Sequence, residues 1–143
     1  MPGMGNATAQ AWLQLLFNGT TFTGIAQNVT AGPLTSYYIS LHTADPTLAG
    51  NQNSNEISYT GYSREAVSRT SAALPVTSNV VASANPIVFP TSTGGTGGTV
   101  TNWAIGTAAS GPGQILYTGV VSPTIPVTTG TQPELPTDTI TQT

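Results

Sequence analysis

Apolar residues recur every third or fourth position near the N-terminus and every second position after it, and this change of period separates one helix from a succession of strands. Between Ala7 and Phe17 the apolar positions Ala9, Trp12, Leu13, Leu16 and Phe17 form a helical stripe, with Asn6 or Thr8 placed to cap its start and Asn18-Gly19 to stop it. Two roles are open to such a helix. It can pack across one end of the domain, or it can act as an arm whose Trp12 anchors in a neighbouring subunit.

Beyond Gly19 the chain turns to Thr, Val, Ile, Tyr, Gly and Pro, the residues of strands and tight turns. In the run 37–42, alternation puts Tyr37, Ile39 and Leu41 on one face and Tyr38, Ser40 and His42 on the other, which predicts a half-buried strand. Further strands are predicted at 66–69, 79–84, 86–89, 100–106, 114–121, 124–128 and 137–142. Short strands at this spacing indicate a sandwich or barrel. The segment 45–62 is a long amide-rich loop of the kind that is functional or mobile. Thr93 to Thr99 is rich in glycine, but it lacks the Lys-Ser/Thr ending and following helix of a phosphate cradle and reads as a hairpin connection. Prolines 123, 126, 133 and 136 guard a sheet edge.

Charge is the scarcest commodity in this sequence. Its 143 residues hold five acidic and two basic side chains, one histidine, no lysine and no cysteine. An ordinary domain carries about a quarter charged residues. Such a surface suits contact with other protein, and it gives catalysis little to work with. A net charge of −3 with only two arginines leaves no basic stripe for nucleic acid. The absence of a basic leader or of any long apolar run predicts a soluble protein made in a cytoplasm, with no membrane partner. Without cysteine there are no disulfides or thiolate zinc sites, so stability rests on packing or on assembly.

Ser40, His42 and Asp45 have the residue types of a hydrolytic triad. Residues two apart on a strand lie about 7 Å apart, however, and Asp45-Pro46 begins a turn. Asp45 therefore reads as a turn residue and His42 as an exposed or interface side chain, with no catalytic residue assigned. One imidazole and the scattered carboxylates Asp45, Glu56 and Glu65 do not make a recognisable calcium loop, so neither a metal nor a cofactor is expected. Glu56, Arg64, Glu65 and Arg69 pair among themselves or across an interface, Arg64 being best suited to a two-bond grip on a carboxylate. Four of the five tyrosines fall in one quarter of the chain. Trp12, Tyr38, Tyr59, Tyr62, Arg64 and Arg69 are accordingly the expected interface residues. The tyrosines beside Asn51, Asn53 and Asn55 would also suit a carbohydrate.

The run Tyr38-Ile39-Ser40-Leu41-His42-Thr43-Ala44-Asp45-Pro46 and the following Asn55-Glu56-Ile57-Ser58-Tyr59-Thr60-Gly61-Tyr62-Ser63-Arg64 resemble a group of small tailed-bacteriophage virion proteins. So do Pro86-Ile87-Val88-Phe89-Pro90, Thr101-Asn102-Trp103-Ala104-Ile105-Gly106 and Leu116-Tyr117-Thr118-Gly119. The resemblance covers nearly everything beyond the helix and carries no catalytic residues. It implies tail-fibre-like proteins or capsid cement.

Together these readings predict a mainly β protein: an N-terminal arm or helix over 1–19 and a single β domain over 20–143. The domain is expected to be a β-sandwich, a jelly roll being one form it can take. The expected role is a non-enzymatic cement or decoration protein on the capsid surface of the virion, present in the host cytoplasm during assembly. Its partners would be the major capsid protein and copies of itself in a dimer or trimer. The alternative is a tail or head-fibre component that adheres to host glycans.

Overall fold

The computed structural model describes residues 6–21, 34–47, 49–137 and 139–141. The elements are α1 (Asn6–Asn18), β1 (Ser36–His42), β2 (Glu65–Ser68), β3 (Val76–Thr77), β4 (Val80–Ala82), β5 (Ile87–Val88), β6 (Gly98–Gly106), β7 (Ile115–Val127), β8 (Glu134–Leu135) and β9 (Thr139–Thr141). With a single short helix and antiparallel sheets among the described residues, the protein is mainly β and of the β-sandwich class, as its sequence predicts. Among the described residues no helix is long and apolar enough to cross a membrane. Residues 1–5, the Asn6 side chain and Asp138 lie outside the described residues.

The chain groups into two compact units, one of residues 1–35, 68–86 and 136–143, the other of 36–67 and 87–135. The helix shares its unit with the later segments 68–86 and 136–143. In the first unit α1 packs on β3 and β4, and β4 lies between β3 and β9. Ala9, Leu13 and Phe17, four residues apart, are buried with Leu74 and Val81. Each large side chain so buried contributes about 1.5–3 kcal/mol. The stripe is narrower than predicted, and Trp12, one residue off its line, is 43% exposed.

Gly19 ends the helix with φ of 66°. The last-turn carbonyls find partners elsewhere: the Thr20 N–H bonds the Gln14 carbonyl at 3.1 Å, and the Arg69 guanidinium bonds those of Leu15 and Leu16. No basic residue lies in the helix's own last turn. Arg69 supplies that positive charge from fifty residues away in sequence, complementing the helix dipole.

The second unit is built on a four-stranded sheet ordered β2-β1-β6-β7, beside the β5-β8 ladder. Leu41 of β1 faces Trp103 of β6, which faces Gly119 of β7. A Cβ on Gly119 would stand 2.5 Å from the indole, so only glycine lets the ring lie across β7. The strands predicted at 114–121 and 124–128 form one continuous β7. Pro123 and Pro126 fit there because β7 is an edge strand, with one side outside the ladder. The two-residue strands β3 and β8 are too short to leave a period in the sequence. The glycine run does not form a hairpin turn. Thr60 exchanges hydrogen bonds with it (Thr60 N to Gly94 O at 2.8 Å, Thr93 N to Thr60 O at 3.0 Å), and β6 follows directly.

Candidate functional site

The chemistry-bearing side chains of the second unit converge on the loop that leaves β1. Its amides tie the loop down. Asp45 Oδ1 accepts from the Thr47 N–H at 2.8 Å, the turn role predicted for it, and Asn51 Oδ1 accepts from the Asn53 N–H at 2.9 Å. Asn55 donates its side-chain N–H to the Asp45 carbonyl at 3.0 Å. The Asn55 carbonyl and the Ile57 N–H then pair with Thr43 and Leu41 at 2.9 Å each, so 55–57 runs antiparallel beside the end of β1.

Gln52, which no sequence pattern singled out, is fully buried and pins the loop across the sheet. Its Nε2 donates to the Tyr38 carbonyl at 3.0 Å, its Oε1 accepts from the Ala108 N–H at 3.0 Å, and its own N–H bonds the Gly113 carbonyl at 2.9 Å. The socket exists because Gly106 and Gly113 lack side chains: a Cβ at either would stand 2.2 or 2.1 Å from the Gln52 amide. A buried amide with both ends satisfied is a rigid fastener.

Arg64 and Glu56 form the predicted two-bond grip. Nε and Nη2 of Arg64 each meet a Glu56 carboxylate oxygen at 2.7 Å, with the Arg64 side chain only 2% and that of Glu56 15% exposed. The remaining guanidinium bonds reach Asn53 Oδ1, the Ala108 carbonyl and the Gly111 carbonyl, each at 2.9 Å. Tyr62 adds its hydroxyl to Glu56 Oε1 at 2.9 Å. Within the unit, the Arg64 donors hold together the loop, the 108–111 turn and its own strand approach. Above the pair lies a cleft of about 270 Å³ rimmed by Ser63, Ala109 and Ser110.

His42 and Ser40 depart from expectation in another way. Both are fully buried, since the Gln52 loop covers the second face of β1, and their tips meet at 2.9 Å. The spacing of alternate Cα atoms does not fix the spacing of side-chain ends. Nδ1 of His42 lies 2.8 Å from the Ser54 carbonyl, which can only accept. Nδ1 therefore carries the proton and Nε2 accepts from the Ser40 hydroxyl. Burial lowers the imidazole's affinity for a second proton below its ordinary value of 6.5. The pair has the contact of a nucleophile and base, with both side chains fully buried.

The expected tyrosine surface also turns inward. Tyr59 is buried with its hydroxyl donating to the Pro90 carbonyl at 2.8 Å, and its ring meets Tyr62 edge-on at 5.2 Å. Tyr62 stacks on Phe89 at 6.4 Å and gives its hydroxyl oxygen to the Leu41 N–H at 3.1 Å. Burial raises the phenol of Tyr59 to about 12 and that of Tyr62 further. Tyr38 is half-buried, and Arg69 holds the helix end. Of the six expected contact residues, Trp12 alone is classed as exposed. Among the described residues no three metal-ligating side chains group together.

No individually curated protein matches the chain closely enough to count as a relative. A profile of one family does match, described as podophage GP4 fiber I protein gp80, and it spans residues 3–143. The runs between Tyr38 and Gly119 that resemble phage proteins all lie inside that span, and the chain belongs to this family of tailed-phage virion structural proteins.

Proposed function

We propose that this chain is a non-enzymatic structural subunit of a phage fibre, acting through contacts with copies of itself and with neighbouring virion proteins. The family description favours a fibre over the capsid cement expected from sequence. The observation that carries the non-enzymatic part is the inward commitment of the polar groups. Arg64, Glu56, Gln52, Ser40, His42, Tyr59 and Tyr62 all bond within the second unit, where they stiffen a protein rather than meet a substrate. Among the described residues, what faces outward is largely hydroxyl, alanine, proline and glycine with a few amides, and the apolar side chains of Trp12, Leu34, Val88 and Val120 are exposed by 43, 43, 44 and 73%. Apolar groups of this kind amid a nearly uncharged surface suit protein contact. The side chains of Asn51 and Asn55 bond within their own loop and that of Asn53 accepts from Arg64, so glycan adhesion is not part of this reading.

Quantitative mass spectrometry of purified virions tests it. A fibre subunit is expected in far fewer copies than the major capsid protein. Equal copies would return the capsid cement reading, and absence from particles would defeat both.

A further inference from the structure

We propose that His42 is an acid-operated latch on the 51–56 loop, which loosens from β1 when the imidazole takes up a second proton. The loop is the lid over this ring. The Ser54 carbonyl accepts from His42 Nδ1–H at 2.8 Å, and Gln52 Nε2 reaches Ser40 Oγ at 3.5 Å while bonding the Tyr38 carbonyl. In the neutral state the Ser40 hydroxyl donates to Nε2 at 2.9 Å. A proton on Nε2 ends that arrangement, because two donors would then face each other. The serine proton must swing to the Ala104 carbonyl, 3.4 Å away, so that Oγ accepts from Nε2–H, and what the closed loop then leaves unrelieved is a buried cation cut off from water.

Water reaches the imidazolium most directly if the covering loop lifts. The charged groups around the ring do not relieve it unaided. Glu56 and Asp45 favour the cation, Arg64 opposes it, and β6 contributes no charged residue. Glu56 is already gripped by Arg64. Burial is the largest influence, and it keeps the ring neutral in the closed state. Lifting would draw Asn53 and Glu56 away from Arg64, so acid at one histidine would be felt at the buried ion pair.

Because His42 is the only histidine, its ring signals in an NMR titration of the full chain are unambiguous. The imidazole is expected to titrate below 6.5, with the 51–56 amides shifting and losing exchange protection at the same midpoint while β6 and β7 amides stay protected. Ser40→Ala, which removes the donor to neutral Nε2, is expected to raise that midpoint. Titration at or above 6.5, a ring that titrates with the loop unmoved, loss of protection in loop and sheet together, or a midpoint unmoved by Ser40→Ala would each overturn the latch.

Discussion

Arg64 closes both of its parallel bonds on Glu56 inside the chain. A side chain that grips a carboxylate with two parallel bonds does so wherever the carboxylate is, and Glu56 is nearly buried beside it. Breaking such a pair leaves a charge without compensation, so Arg64→Ala should cost about 3–5 kcal/mol of stability in denaturant unfolding. Replacing both Arg64 and Glu56 by apolar residues of similar volume should cost much less. Equal losses from the single and double variants would mean the pair's charges are not what matters. The buried phenols give a second test, at high pH. An unfolded tyrosine ionises near 10, whereas the folded Tyr59 waits until about 12 and Tyr62 beyond. Their folded values are raised, so stability is complete below pH 10 and is lost as pH rises toward 12. Unfolding midpoints measured across that interval should fall, and Tyr59→Phe should fall less steeply. Gln52 was illegible in the sequence for a physical reason. A socket made from Gly106, Gly113 and two backbone groups exists only after folding, and a glutamine among asparagines carries no period.

At the scale of elements, the change from a period of three or four to a period of two located the helix and most strands. Alternation in 37–42 correctly separated the faces of β1. It could not show that the second face would be roofed by a loop, because that roof lies 12 residues on in sequence. The helix stripe was legible too, yet its width was not: Ala9, Leu13 and Phe17 face inward and Trp12 does not. Leu13→Ala should therefore cost about 2–5 kcal/mol, whereas Trp12→Ala should change stability by less than about 0.5 kcal/mol. Calorimetry on the two variants checks both. A selective loss of assembly in Trp12→Ala, with folding intact, would assign that ring to a subunit contact. The helix end gives a further prediction. Arg69 donates to the Leu15 and Leu16 carbonyls, so Arg69→Ala should destabilise the protein by about 1–3 kcal/mol, with the loss seen as fraying of the last turn by hydrogen exchange.

For the whole molecule, nearly uncharged composition and absent cysteines pointed toward assembly, and the runs resembling phage proteins pointed to the virion. Family membership agrees with the second of these. Location within the particle has no signature in these residues, since a cement protein and a fibre subunit both need stiff folds and broad, weakly charged surfaces. The polar chemistry of the second unit is turned inward and makes a rigid part. The most direct test is a cryo-electron microscopy map of the intact virion at a resolution that distinguishes side chains. The prediction is density for this chain within a fibre, with the Arg64–Glu56 and Gln52 contacts intact and Trp12 or Val120 against a neighbouring subunit. Density for it on the capsid shell, or a chain whose Arg64 reaches across to another protein, would contradict it.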